Sequence, residues 1–224
     1  MTLLTSLNTT FNFIDRQSEQ TVMCLSGWSF PVSVFDIPDH VNVIEVVHYN
    51  PTSFETEFCH ILDALNIEKV SIYGFSLGGY VALYCLVNYF NRVEHVYFYG
   101  CRPFYPKIEI DAMLNNLLTN QIATVKYFWK NCFYDKALYK RFFTQFGEKT
   151  LALYSLEELK NGLSYLAKQN VFNLVSLHPE IISNITFYHG ECDEIAPLKE
   201  FSQFIKNIEG IQFQIISKKG HFTF

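Results

Sequence analysis

The sequence predicts an α/β fold: a mainly parallel sheet flanked by helices, carrying a helical insertion. Three observations predict it. Short β-branched and aromatic runs alternate with helix-like stretches near both ends of the chain. A glycine-rich turn joins one such run directly to one such helix. The alternation is broken once, by a long stretch with helical patterning only.

Strands are expected at residues 22–25, 43–47, 70–73, 96–99, 185–188 and 211–216, and helices at 53–65, 77–90 and 198–208. Right-handed crossovers would place helices on both faces of the sheet. No strand is assigned ahead of Thr21. Between about Pro103 and Glu180 the segments 111–131, 137–146 and 153–169 all read helical. The expected organisation is therefore a core of residues 1–102 and 181–224, interrupted by an insertion at 103–180. Insertions that follow the carboxyl end of a strand lie where open α/β sheets bind ligands, so this one is placed to act as a lid.

The 224 residues suit one domain with an insertion. With 49% apolar and 17% charged residues the chain is too hydrophobic to be disordered. Its 17 basic and 22 acidic residues leave a net charge of −5, the wrong sign for coating nucleic acid. The first 13 residues lack the basic and apolar regions of a signal peptide. Six cysteines, Cys24, Cys59, Cys85, Cys101, Cys132 and Cys192, show no C-x-x-C spacing. Scattered thiols fit a reducing compartment, so a cytoplasmic location is expected, with no metal site. Residues 70–90 are uncharged and long enough to span a bilayer. However, Gly74, Ser76, Gly78, Gly79 and Asn88 interrupt them, and a strand, a tight turn and a buried helix explain the run better.

That turn reads Gly74-Phe75-Ser76-Leu77-Gly78-Gly79 and matches G-x-S-x-G between strand and helix, the setting of a nucleophile elbow. Ser76 is the expected nucleophile; the plain alternative is an inert serine in a glycine-rich turn. The N–H of Leu77, at the helix start, is aimed to stabilise an oxyanion. A serine needs a base. His221, alone after the last strand, occupies the right chain position, whereas His40, His48, His60, His95, His178 and His189 read as surface, strand-flanking or loop residues. The acid belongs in the loop after residues 185–188, where Glu191, Asp193 and Glu194 compete. Asp193 is favoured, because a short side chain in a tight loop best holds the imidazole tautomer; its alternative role is a turn or cap for the next helix. The second oxyanion donor is expected in Ser26-Gly27-Trp28-Ser29, from the N–H of Trp28, whose side chain either walls an acyl pocket or packs in the core.

Together these segments resemble the α/β-hydrolase superfamily, and within it the bacterial pimeloyl-[acyl-carrier protein] methyl ester esterases of biotin synthesis. SGW resembles that family's HGW, GFSLGG its GWSLGG, and GECDEIAP its G-x-x-D-x-x-x-P loop. Residues 159–166, LKNGLSYL, look like its L-x-x-G-L-x-x-L lid segment. Ser26 departs from the family's histidine, and His48-Tyr49-Asn50-Pro51 lacks the G-x-G-x-S turn of longer relatives. The resemblance implies a serine carboxylesterase that needs no cofactor and whose partner is an acyl carrier protein bearing the substrate. The same triad would also serve a thioesterase, another small-acyl esterase or a menaquinone-pathway lyase; a binding module that kept the fold is the non-enzymatic alternative.

Charge is unevenly spread. From Pro103 to Ser176 nine basic residues face six acidic ones, a net +3, which leaves −8 on the rest of the chain. A basic insertion suits an acidic carrier protein, with Lys126, Lys130, Lys140 and Arg141 as the expected contacts; an ordinary solvated helical surface is the alternative. Phe128, Trp129, Phe133 and Phe142 either line an acyl channel or pack the insertion onto the body.

Overall fold

The computed structural model describes residues 2–6 and 8–224. Its strands are β1 (Thr2–Ser6), β2 (Thr9–Ile14), β3 (Thr21–Leu25), β4 (Asn42–His48), β5 (Val70–Phe75), β6 (Val93–Tyr99), β7 (Ile185–Gly190) and β8 (Gln212–Ile216). They form one sheet in the order β1-β2-β4-β3-β5-β6-β7-β8. β1, β2 and β4 pair antiparallel. The pairs from β4–β3 to β7–β8 are parallel.

The helices are α1 (Phe54–Ala64), α2 (Leu77–Asn88), α3 (Lys107–Thr119), α4 (Gln121–Cys132), α5 (Lys136–Phe142), α6 (Glu148–Leu153), α7 (Leu156–Leu166), α8 (Val171–Leu177) and α9 (Leu198–Ile205). α3 to α8 all fall between β6 and β7. Short polar side chains set their starts: Asn120, Asp135 and Asn170 each accept from a first-turn N–H, and Ser155 with Glu158 forms a capping box at α7.

The hairpin β1–β2 lies outside the expected strands. Its residues, TLLTS and TTFNFI, include four threonines and Asn12, which hid a pattern that pairing with β4 completes.

The expectation of helices on both faces is also corrected. α2 packs on β3, β5 and β6, and α1 lies beside α2. Phe98 of β6 meets Tyr80 of α2 on one side and Phe187 of β7 on the other, and Phe187 contacts Phe201 and Phe204 of α9. α1, α2 and α9 therefore share one face. The opposite face of β5, β6 and β7 presents Tyr73, His95, Tyr97, Tyr99 and Tyr188, all partly exposed. The cause is local. The link from β3 to β4 forms only a short 3₁₀ turn, Val32–Val34, instead of a helix. It buries Val22, Cys24 and Val43 under Val32 and Val41, and beyond Tyr73 it reaches Tyr99 only through the Phe35 ring.

No helix among the described residues is long and apolar enough to cross a membrane.

Candidate active site

β5 runs straight into α2, and the turn between them is held in an unusual conformation. Ser76 has φ 49° and ψ −113°, a backbone region that non-glycine residues rarely adopt and that costs about 1–3 kcal/mol. Its N–H bonds the Tyr99 carbonyl at 2.8 Å, and its carbonyl accepts from the Gly79 N–H at 2.9 Å. The glycines are required by space: a Cβ on Gly74 would lie 2.5 Å from the Gly79 Cα, and one on Gly78 would collide with the Leu25 backbone. The turn stays tight only because α2 presses directly against β3 and β5. This is the elbow the sequence pattern implied.

His221 follows β8 and is fully buried. Its Nδ1 lies 2.8 Å from Asp193 Oδ2. The other oxygen, Oδ1, accepts from the N–H groups of Ile195 and Ala196, both at 2.8 Å. Asp193 thus fills both roles considered for it, turn-former through Oδ1 and partner of His221 through Oδ2. The competing acids lie elsewhere: Glu191 bonds Ser217 and the Lys218 N–H, which lowers its pKa, and Glu194 stands exposed at the cavity wall. His221 Nε2 is buried and has no hydrogen-bond partner among the described residues. No hydrogen bond closes onto it from the Ser76 hydroxyl, a gap that free enzymes often show before substrate binds.

Behind this pair sits a second buried imidazole. His189, at the end of β7, bonds the Ala196 carbonyl through Nε2 at 2.8 Å. Its ring stacks on Phe201 with centroids 4.3 Å apart. Burial pushes its pKa down, so it is held neutral.

The loop after β3 is equally constrained. Ser26 Oγ donates to the Phe30 carbonyl at 2.6 Å, and the Phe30 N–H closes a turn onto Gly27. Ser26 therefore tightens the loop from within. The Trp28 ring reaches the insertion: its Nε1–H bonds the Leu159 carbonyl at 2.8 Å, and its edge meets Phe128 at 5.0 Å. A Cβ on Gly162 would approach the Trp28 ring to 2.7 Å, so the glycine of the 159–166 segment is a docking notch for this indole. Trp28 both packs the insertion and walls a cavity.

That cavity, about 140 Å³, lies over Ser76 between core and insertion. Its apolar wall includes Trp28, Phe128, Ile110, Met113, Leu163 and Leu166. Of the four insertion aromatics, only Phe128 faces it. Trp129, Phe133 and Phe142 cluster on Phe30 instead, and Phe133 and Phe142 also on Phe222, which settles their role as packing.

The polar wall contains residues the sequence reading passed over: Arg102, Tyr105 and Glu109. Arg102 is 5% exposed and bonds Glu109 and Glu200 through Nε and both terminal nitrogens. Burial works against its charge, and the two carboxylates overcome that penalty. Its guanidinium carbon sits 5.3 Å from the Tyr105 ring centroid. Burial raises the Tyr105 pKa, keeping the hydroxyl protonated. A usable signal existed: Arg102 and Tyr105 follow the carboxyl end of β6, the end of a parallel strand where sites form.

Lys126 and Lys130 lie on α4, and Lys140 and Arg141 on α5. None of the four enters an ion pair among the described residues; Lys126 sits over the Phe143 ring at 5.1 Å. Among the described residues no group of three or more side chains is arranged to hold a metal, and all six cysteines are unpaired.

No protein-family model matches the sequence, and no curated protein matches it. Solved structures do. An esterase from Exiguobacterium antarcticum superposes with a TM-score of 0.82 at 19% identity, covering 98% of this chain and 92% of that one. An alpha/beta hydrolase enzyme from a Medee basin deep-sea metagenome library gives 0.76 at 16% identity, over 98% and 90% of the two chains. A meta-cleavage product hydrolase from Pseudomonas fluorescens gives 0.73 at 17% identity, over 100% and 91%. At such identities the likeness speaks for architecture alone, and with the eight-stranded, mostly parallel sheet it shows that the chain has the α/β-hydrolase fold.

Proposed function

We propose that the protein is a serine carboxylesterase whose substrate is the methyl ester of a pimeloyl group carried on acyl carrier protein. The observation that carries the hydrolase part is the buried Asp193–His221 pair beside a strained Ser76 at the floor of a cavity. His221 takes the proton of Ser76 as its hydroxyl attacks the ester carbonyl. The N–H groups of Trp28 and Leu77 receive the negative charge that develops on the carbonyl oxygen. Asp193 holds the imidazole in the tautomer that leaves Nε2 free to accept. Protonated His221 then gives its proton to the departing alcohol, and the same imidazole activates the water that releases the acid.

The pimeloyl-carrier part rests on the SGW, GFSLGG and 159–166 motifs and on the basic insertion, which would act as the lid. Lys126, Lys130, Lys140 and Arg141 are its proposed contacts with the acidic carrier. A second reading, an esterase of short acyl groups, is favoured by the small cavity. A void of this size holds about one benzene-sized group, below the roughly 300–1,000 Å³ of most ligand pockets.

Mass spectrometry of pimeloyl-carrier-protein methyl ester separates the readings. Loss of one CH₂ in mass with wild type, slowed roughly 10⁴-fold or more by Ser76→Ala, supports both parts of the proposal. Cleavage of short p-nitrophenyl esters without any change in the carrier substrate leaves the short-acyl reading. If neither is cleaved and a serine-directed phosphonate fails to label Ser76, the hydrolase reading falls.

A further inference from the structure

We infer that the acyl cavity is a charge filter that admits uncharged acyl groups and excludes those ending in a free carboxylate, with Glu109 and Glu200 disabling Arg102 as an anion receptor. The inference deepens the esterase reading and rests on it.

An arginine in the wall of a site is ordinarily the group that captures a carboxylate. Here its capacity is spent. Of the five N–H donors of a guanidinium, four already point at carboxylate oxygens: Nε and one terminal nitrogen at Glu200, at 2.9 and 3.0 Å, and both terminal nitrogens at Glu109. Two carboxylates against one cation leave the cluster net negative. Glu194 adds a further negative charge to the same cavity wall, and Asp193 lies just behind it.

The partners are unequal. Glu200 belongs to α9 of the core and does not line the cavity, whereas Glu109 belongs to the first turn of α3 in the insertion and does. Glu109 therefore occupies, from the cavity side, the position that a substrate carboxylate would need. An incoming anion meets Glu109, half exposed at the cavity wall, and Glu194, exposed beside it, and both repel it through a partly solvent-screened field. An ester or alkyl terminus meets Ile110, Met113, Phe128, Leu163 and Leu166 and carries no such penalty.

The consequence for the proposed reaction is directional. The substrate enters with its carboxyl masked as an ester. Hydrolysis unmasks a carboxylate inside a net-negative cavity, which favours release of the acid and weakens product inhibition.

The test is a comparison of two p-nitrophenyl esters of matched length, neutral p-nitrophenyl valerate and anionic mono-p-nitrophenyl glutarate. Wild type is expected to prefer the neutral ester by about 100-fold in kcat/KM. Glu109→Gln keeps a hydrogen bond to Arg102 but frees its charge, and should shrink that preference at least 10-fold. Glu194→Gln, which leaves the Arg102 cluster intact, should shrink it by a smaller factor and covers the case in which Glu109→Gln fails to fold. Loosening of the insertion alone would slow both esters alike and leave the ratio where it was, so an unchanged ratio in both variants overturns the inference. Equal use of the two esters by wild type does the same. If wild type cleaves neither ester, the esterase reading is what has failed. The filter is then judged by tryptophan-fluorescence titration with valeramide and glutaramate, where tighter binding of the anion by wild type overturns it and tighter binding of the amide supports it.

Discussion

On the helix-bearing face of the sheet, Val96, Phe98 and Phe187 are fully buried, with ring against ring from α2 across to α9. One residue along the same strands, Tyr97, Tyr99 and Tyr188 point the other way and are partly exposed, with Phe35 and Phe224 packed on Tyr99. They stack on one another, Tyr99 on Tyr188 at 4.7 Å and Tyr73 against Tyr97 at 4.7 Å, with His95 beside Tyr97 at 4.6 Å. Parallel sheets ordinarily have both faces covered. This one meets the demand on one face with helices and on the other with a side chain that tolerates both environments, a ring for the neighbouring ring and a hydroxyl for water. The active-site turn depends on the first face alone, because α2 approaches the sheet there at glycine distance.

The comparison is broken or sharpened by matched substitutions. The largest effect is expected from Phe98→Ala, which opens a cavity between α2, β7 and α9 and should cost about 3–5 kcal/mol in urea unfolding. A loss below ~1 kcal/mol there would mean that the helix-bearing face is not the main source of stability. An intermediate effect is expected from His189→Phe, which keeps the stack on Phe201. The wild-type imidazole has its pKa lowered by burial, so the unfolded chain takes up a proton that the folded chain resists. Stability from this group is complete above the ordinary imidazole pKa of about 6.5 and is lost as pH falls below it toward the folded value. Thermal melts from pH 7.5 to 5 should therefore fall less steeply for the variant, and parallel curves would remove His189 from the account. The smallest effect is expected from Tyr97→Ala on the open face, about 1 kcal/mol or less. A cost equal to that of Phe98→Ala would show the two faces to be energetically alike.

The parts of the molecule that were legible in the sequence are those in which neighbours in the chain act together. β5, the turn and α2 are contiguous, so Gly74, Ser76, Gly78 and Gly79 announced the fold and marked Ser76 as the proposed nucleophile. The pairing of Asp193 with His221 was legible because chain order suggests which loop each should occupy. The hairpin β1–β2 escaped because its threonines and asparagines gain meaning only beside β4. The open face escaped because its alternation of Tyr with Val and Phe reads as an ordinary buried strand until the helices are placed. The anion-blocking cluster was out of reach for a different reason: Arg102 and Glu200 are 98 residues apart, and nothing local to either marks it as a partner.

The backbone tie between α4 and the base loop has a mechanical consequence. The Phe222 N–H bonds the carbonyl of Cys132, the last residue of α4, at 2.8 Å, and a Cβ on Gly220 would strike that same carbonyl at 2.6 Å. The residues on either side of His221 are thus fastened to the roof of the cavity. In the proposed mechanism, a displacement of α4 would therefore carry His221, the proposed base, away from Ser76.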